Sequence, residues 1–274
     1  MAIDTMMYAV QIPAGEYTAG QQIAAKVIRG PSVVRDGYGK AIMKKMFTIA
    51  SGPTGSLITG HITVKNQNWI DSMASLVSTA SGNAGLVSMS ASSPASQRCG
   101  DIELQPNTSF DVVWTCDDAK TITGAYDVFV LIDIEYPSVA AVQNPKEESG
   151  APVTIMRADT ITTTADGGSG SMVWTTVNVD LFKAGYRYLL ASVGSRVASD
   201  VSNVSLGFLA ISGAAGQNGL VRIVPILPGN LGAIRADIEY STPLVKGPMN
   251  IEYACMATTV QTGTITAEFD FIRR

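Results

Sequence analysis

The 274-residue chain is apolar and weakly charged: 46% of its residues are hydrophobic, 15% are charged, and the formal net charge is −4. This composition argues against a disordered chain, and an acidic balance without clusters of Lys and Arg argues against direct binding of nucleic acid. A poorly charged surface suits a subunit whose faces are covered by neighbouring copies. It suits a secreted or thermostable β protein with a Ser- and Thr-rich face equally well.

Runs typical of strands, separated by turn residues, occupy most of the chain. The predicted strands cover residues 6–12, 42–50, 57–65, 102–104, 110–116, 126–136, 153–156, 160–164, 172–179, 186–193, 204–211, 220–224, 233–240, 249–256 and 264–272. Gly52-Pro-Thr-Gly55 predicts a hairpin between the second and third of these strands. Short strands with frequent turns predict an all-β fold of sandwiches or barrels.

Two segments show helical periodicity instead. Residues 18–30 open with a capping box, Thr18 and Gln21, and continue with an apolar face that ends at Gly30-Pro31. Residues 68–80 place four apolar side chains on one helical face: Ile70, Met73, Ala74 and Val77. The sequence therefore predicts one or two short helices within the all-β fold.

A proline-bounded break from Pro137 to Pro152 divides the chain into halves of similar length. Both halves end on a strand of alternating acidic and apolar residues, 126–136 and 265–272, and short echoes such as Ile-Glu-Tyr recur in both. We therefore predict two tandem antiparallel β-sandwiches of similar fold, the first at residues 1–138 and the second at 153–274. Residues 139–152 are predicted to be the linker.

The residues that carry chemistry are sparse. His61 is the single histidine, and it lies in a strand without a nucleophile-elbow pattern, so an ordinary strand residue is expected. Cys99, Cys116 and Cys255 lack metal-ligand spacing and are predicted to be buried thiols, with a Cys99–Cys116 pair across a hairpin as the alternative. Trp69, Trp114 and Trp174 are expected to be core or interface anchors.

A pair of carboxylates is the best enzymatic candidate. Asp133 and Glu135 leave the same face of a strand about 7 Å apart, a spacing that suits acid–base cleavage of a glycoside. Asp237 and Glu239 repeat the arrangement, and a solvent-facing acidic row opposite Val128, Val130, Ile132 and Ile134 is the favoured interpretation. Asp166-Gly-Gly-Ser-Gly170 lacks the further ligands of a calcium or phosphate loop and predicts a flexible hairpin tip. No catalytic, cofactor-binding or metal-binding residues are predicted.

The N-terminal residues 1–10 lack a basic region followed by an apolar run, so no signal peptide is predicted. No stretch reaches the roughly 18 apolar residues that a membrane-spanning helix needs. A soluble chain is therefore expected.

The segment Val10-Gln-Ile-Pro-Ala-Gly-Glu-Tyr-Thr-Ala-Gly-Gln-Gln-Ile-Ala-Ala25 resembles the strand, turn and capped-helix opening of viral capsid and tail proteins. With its two β halves, the whole chain resembles a double jelly-roll major capsid protein of tailless, often membrane-containing viruses. The resemblance implies two jelly rolls side by side and a homotrimer that forms a pseudo-hexagonal capsomer of an icosahedral shell. It also implies a virion location, with other capsid proteins and an internal membrane as candidate partners. Neither half carries an obvious basic or amphipathic terminal anchor for such a membrane.

The expected function is therefore that of a self-assembling virion structural protein without enzymatic activity and without a cofactor. Two alternatives stay open. One is a carbohydrate-binding or glycoside-cleaving β-sandwich protein that uses Asp133 and Glu135. The other is a subunit of an extracellular filament or surface layer.

Overall fold

The computed structural model describes residues 2–52, 59–66, 73–78, 87–88, 96–137, 152–179, 188–197, 204–213, 220–226, 234–237 and 249–273. Within these ranges the chain forms 21 strands and one three-residue 3₁₀ helix. The prediction of an all-β fold built from antiparallel sheets is therefore confirmed. No helix in these ranges is long and apolar enough to cross a membrane.

The first half forms two sheets and a small ribbon. Its strands are β1 (Ala2–Ile12), β2 (Gly15–Tyr17), β3 (Gln22–Ala24), β4 (Lys26–Arg29), β5 (Ala41–Ser51), β6 (Thr59–Asn66), β7 (Met73–Ser78), β8 (Val87–Ser88), β9 (Ser96–Leu104), β10 (Phe110–Cys116), β11 (Lys120–Ile122) and β12 (Tyr126–Tyr136). Sheet I has the order β4-β1-β12-β5-β8, and β9 also pairs with β5. Sheet II has the order β3-β10-β6-β7, and β2 pairs with β11.

The second half forms two further sheets. Its elements are β13 (Pro152–Thr162), β14 (Thr164–Ala165), the 3₁₀ helix η1 (Ser169–Ser171), β15 (Thr175–Val179), β16 (Tyr188–Val197), β17 (Val204–Gly213), β18 (Val221–Ile226), β19 (Ile234–Asp237), β20 (Met249–Ala257) and β21 (Thr262–Arg273). Sheet III has the order β14-β20-β17-β18, and β15 also pairs with β20. Sheet IV has the order β13-β21-β16-β19.

The two halves share one strand plan. In each half the first strand pairs antiparallel with the last one over eleven consecutive residues, from Ala2–Tyr136 to Ile12–Tyr126 and from Pro152–Ile272 to Thr162–Thr262. The next strand across the sheet is β5 in the first half and β16 in the second. Within the described ranges, every strand pairs only with strands of its own half. The expectation that the halves fold alike therefore agrees with their pairing, while the exact domain boundaries stay a prediction.

The first core lies between sheets I and II. Alternate residues of β1 and β12 point into it, because successive side chains of a strand leave opposite faces. Its members come from both sheets and include Met6, Tyr8, Val10, Ile62, Val64, Val112, Trp114, Val128, Val130 and Ile132. Trp114 is fully buried and meets Tyr17 edge-on, with ring centroids 5.8 Å apart. Sheets I and II thus form a β-sandwich, as predicted for the first half.

Residues 18–30 form a turn and two strands, so the predicted helix is wrong there. The capping-box residues do contact each other: the Thr18 amide donates to Gln21 Oε1 at 3.2 Å. The chain then runs along the edge of sheet II. There the Cys116 amide donates to the Gln21 carbonyl, and the Ala25 amide donates to the Val112 carbonyl. Pairing with an open sheet edge satisfies these backbone groups, and this tertiary contact overrides the weak local preference for a helix.

Two further local predictions fail for the same reason, namely that pairing is decided by distant strands. Within 68–80, the described residues Met73–Ser78 form strand β7 beside β6 instead of a helix. The hairpin predicted at Gly52 is absent, because β5 belongs to sheet I and β6 to sheet II. Residues 53–58 lie outside the described ranges. The connection therefore crosses from one sheet of the sandwich to the other.

Candidate functional site

The second face of sheet I packs against sheet III, which brings the two halves together. This interface has an apolar centre: Met7, Ala9, Ile49, Phe129 and Leu131 from the first half, and Leu206, Phe208, Ala210, Ile223 and Met256 from the second. Phe129 and Phe208 are fully buried and meet edge-on with ring centroids 4.8 Å apart. Edge-to-face aromatic contacts add to the free energy of area burial. The two halves are therefore joined through a true hydrophobic core.

The carboxylates Asp133 and Glu135 lie on this same face of β12, so the predicted solvent-facing acidic row is wrong. Asp133 accepts a hydrogen bond from Thr5 Oγ1 at 2.7 Å, and Glu135 is buried in an ion pair with Lys44 at 2.9 Å. One face of an antiparallel sheet meets water when no other layer packs on it. Here the second half packs on the face that carries Asp133 and Glu135. Asp237 ends β19, whereas Glu239 lies outside the described residues.

The first strand also protects an edge of sheet III. Strand β18 is the last strand of that sheet, and its outward amides at Val221 and Ile223 donate to Asp4 Oδ1 at 2.9 Å and Thr5 Oγ1 at 3.2 Å. Unpaired edge amides are a template for further strand pairing, so these side chains close the edge. Asp4 also accepts a hydrogen bond from Arg35 Nε at 2.6 Å.

Burial dominates the electrostatics of this corner. Asp4 is 0% exposed, and desolvation raises its pKa, although the Val221 amide and the Arg35 guanidinium oppose the shift. Desolvation lowers the pKa of the nearly buried Arg222, while the Asp133 carboxylate opposes that shift. Asp4 and Arg222 thus each have a polar partner across the interface, the Val221 amide and the Asp133 carboxylate respectively, and buried charges are tolerated when they are partnered.

A second polar contact lies at the margin of the interface. Arg29 of β4 forms an ion pair with Glu252 of β20, and its guanidinium carbon lies 4.9 Å from the ring centroid of Trp174. Trp174 also packs against the apolar centre of the interface. Trp174 is therefore an interface anchor and Trp114 a core residue, as predicted for these two tryptophans, and Trp69 lies outside the described ranges.

The segment 166–170 binds the first half, so the predicted flexible hairpin tip is wrong. The Asp127 carboxylate accepts hydrogen bonds from the backbone amides of Gly167, at 2.5 Å, and Ser169, at 3.2 Å. Gln11 Nε2 donates to the Gly167 carbonyl at 2.7 Å, and Ser51 Oγ donates to Asp166 Oδ1 at 2.6 Å. Because the flanking strands β14 and β15 each pair with β20, the segment is no hairpin either. We call residues 166–170 and their partners Asp127, Gln11 and Ser51 the latch.

The backbone of the latch requires glycine at one position. Gly167 has φ +84°, which L side chains rarely adopt, and a Cβ there would overlap the Cβ of Ala125. Gly167→Ala is expected to lower the free energy of unfolding by about 1–3 kcal/mol, measured by urea denaturation. Gly37→Ala is the matched control, because Gly37 has φ +82° and open space around it. Equal losses for both variants would show that the Ala125 contact imposes no cost.

The remaining sequence candidates do not converge on this interface. His61 lies on β6, and its Nδ1 is 2.6 Å from Asp117 Oδ1. Cys116 and Cys255 are buried free thiols, so the alternative of a Cys99–Cys116 disulfide is wrong. Within the described ranges, no group of three or more His, Cys, Asp and Glu side chains is placed to hold a metal ion.

Three interface residues had no predicted role: Asp4, Asp127 and Arg222. One signal was present in each case: a charged residue interrupts a strand whose other residues are mostly apolar, as Arg222 does between Val221 and Ile223. A charge in such a run is buried unless the strand has a wet face, and a buried charge needs a partner. The identity of the partner depends on distant segments of the chain, and the Asp4–Val221 bond spans 217 residues.

No family model matches the chain, and no curated protein matches it. Among solved structures, the chain is similar to the crystal structure of the STIV MCP, with 11% identity, 97% of this chain and 96% of that chain covered, and a TM-score of 0.24. It is also similar to the infectious bursal disease virus VP2 subviral particle, with 11% identity, 99% and 71% coverage, and a TM-score of 0.26. Both TM-scores lie far below 0.5, so the likeness to viral capsid proteins is weak and places the chain in no family.

Proposed function

We propose that the chain is a virion structural protein, a capsid subunit of the double jelly-roll kind whose activity is self-assembly. The observation that carries the proposal is the stacking of the two halves through sheets I and III. A closed symmetric shell requires that each subunit present its contact surfaces at fixed angles. An apolar centre flanked by the Asp4, Arg29 and Asp127 contacts holds the two halves at one fixed angle.

The shared strand plan supports a particular symmetry. Each chain presents two units of the same pairing order, β1-β12-β5 and β13-β21-β16. Three copies around a threefold axis therefore place six similar units in a ring, which is the geometry of a pseudo-hexagonal capsomer. The low charge content, 15% of residues, supports covered faces between copies, because interface centres are depleted of charge.

The proposal includes a role without catalysis. Asp133 and Glu135 each have a partner at the joined faces, Thr5 and Lys44, and these partners give both carboxylates a part in holding the structure. Hydrolysis of a glycan panel by the wild type, lost in Asp133→Asn, would contradict this part of the proposal. Partners other than a second copy, namely other capsid proteins and an internal membrane, belong to the same proposal.

Assembly is the direct test. We expect size-exclusion chromatography with light scattering to give a species of three times the 28.8 kDa chain mass, and electron microscopy to show closed shells at higher concentration. A monomer that persists at high concentration would contradict self-assembly. Filaments or flat sheets would contradict the closed shell and favour the filament or surface-layer alternative.

A matched pair of variants tests whether the interface between the halves matters for assembly. Phe208→Ala loosens that interface, whereas Val112→Ala removes apolar volume from the first core, between sheets I and II. We expect Phe208→Ala to reduce the assembled fraction more than Val112→Ala at concentrations of urea that give both variants the same stability. Equal reductions would show that assembly responds to stability alone.

A further inference from the structure

The latch brings together one carboxylate from each half. Ser51 lies directly opposite Asp127 in the pairing of β5 with β12, and its hydroxyl donates to Asp166 of the second half at 2.6 Å. Asp127 accepts the amide of Gly167, the residue that follows Asp166 in the chain. Both carboxylates are therefore held at the same corner, where the Asp166 charge acts on Asp127.

Among the described residues, the groups shown to face this corner are mostly neutral. Strand β1 contributes the amide of Gln11, β5 contributes the hydroxyl of Ser51, and the segment 166–170 contributes the Asp166 carboxylate and backbone amides. From β4, the exposed Lys26 borders an adjoining cavity of about 150 Å³ that Gln11, Ser169 and Gly170 also line. Asp127 itself is 0% exposed. Its negative charge is thus held by backbone dipoles beside a second negative charge.

Proton binding at this corner follows from the balance of these effects. Burial raises the pKa of Asp127 to about 6, hydrogen bonds from Ser169 and Gly167 oppose the shift, and the Asp166 charge adds to it. A carboxyl group whose pKa is higher in the folded than in the unfolded chain binds the proton more tightly when folded. Its contribution to stability is complete below its unfolded pKa, near 3.8, and is lost as the pH rises through about 6.

We propose that the latch is a proton-sensitive contact between the two halves: uptake of one proton from solvent by the Asp127–Asp166 corner tightens it, and release of that proton loosens it. The proton converts one of two neighbouring carboxylates into a neutral acid. The repulsion between the Asp127 and Asp166 charges then disappears, while the Asp127 carboxyl group still offers an oxygen acceptor to a backbone amide. The inference is independent of assembly, since it concerns a contact within one chain.

Urea unfolding at pH 5.0 and pH 7.5 tests the proposal. For the pKa values given above, Asp127 is expected to make the folding equilibrium constant about tenfold larger at pH 5.0 than at pH 7.5. Asp127→Asn removes the titrating group. The ratio of its folding equilibrium constant at pH 5.0 to that at pH 7.5 is therefore expected to be about tenfold smaller than the same ratio in the wild type. Asp111→Asn, at an exposed carboxylate on β10, is the control and should keep the wild-type ratio. If the Asp127→Asn variant showed the same ratio as the wild type, the proposal would be overturned.

Two further measurements locate the effect and cover a failure of Asp127→Asn to fold. Asp166→Asn keeps an acceptor for Ser51 and removes the neighbouring charge, so the Asp127 carboxyl resonance should titrate at lower pH in that variant than in the wild type. An unchanged midpoint would contradict the proposed coupling. Amide hydrogen exchange, corrected for the intrinsic rate, should show Gly167 and Ser169 several-fold better protected at pH 5.0. Protection that changes equally across all sheets would contradict a local latch.

Discussion

Phe208→Ala is expected to lower the free energy of unfolding by about 3–5 kcal/mol, the range for removing a buried aromatic ring. Phe208 is fully buried at the centre of the interface between the halves and contacts the ring of Phe129 from β12. The truncation leaves a cavity between sheets I and III, and sheet I is held from behind by its packing on sheet II, so the surroundings have little freedom to close the cavity. Urea denaturation followed by circular dichroism gives the loss.

The control for Phe208→Ala is Val260→Ala, because Val260 is 65% exposed and its truncation should change stability by less than about 0.5 kcal/mol. A double-mutant cycle with Phe129→Ala should give a coupling of about 0.5–1.5 kcal/mol between the two rings. A loss below about 1 kcal/mol for Phe208→Ala, or additive losses for the two truncations, would show that the rings do not hold the halves together.

Asp4→Ala is expected to lower the free energy of unfolding by about 3 kcal/mol. The substitution leaves the Val221 amide without its acceptor and removes the ion-pair partner of Arg35. The Arg35 side chain is 31% exposed and regains water, which keeps the loss below the upper end for buried ion pairs. The same urea denaturation measures it.

Asp4→Asn is the informative comparison for Asp4→Ala. The amide side chain keeps an oxygen for the Val221 amide and loses only the charge that pairs with Arg35, so its loss should be smaller. Because burial raises the pKa of Asp4, the folded wild type binds the proton more tightly than the unfolded chain. The loss of stability in Asp4→Asn relative to the wild type should therefore grow as the pH falls through the folded pKa. Equal losses for both substitutions at every pH would contradict a role for the Val221 bond.

Strand positions were well predicted from the sequence, because alternation and β-branched residues report directly on a pleated, half-buried backbone. The predicted bounds of β10 and β12 match the structure. The helix predicted for residues 18–30 was wrong because Gln22–Ala24 pair with the edge of β10, a strand some ninety residues away. No local pattern shows which distant sheet edge is open for pairing. The helix capping signals were therefore the only local evidence, and they predicted a helix.

The interface between the halves was not predictable in the same way. Alternation in β12 correctly separates two faces, but whether the face of Phe129 and Asp133 meets water or another sheet depends on the second half. The acidic residues of that face were consequently assigned to solvent. No role was predicted for Asp127. Its partners are the backbone amides of Gly167 and Ser169, and a backbone amide leaves no residue-specific signal in the sequence.

The pairing of β1 with β12 has a consequence for synthesis of the chain. Both strands of this pair precede residue 137, so the first sandwich can close before the second half leaves the ribosome. Its outer face, with Met7, Phe129 and Leu131, then meets water until sheet III arrives. Making residues 153–274 takes on the order of 10 s at about 5–20 residues per second. During that time the Asp127 carboxylate is hydrated by water, and it exchanges that water for the amides of Gly167 and Ser169 when the second half arrives.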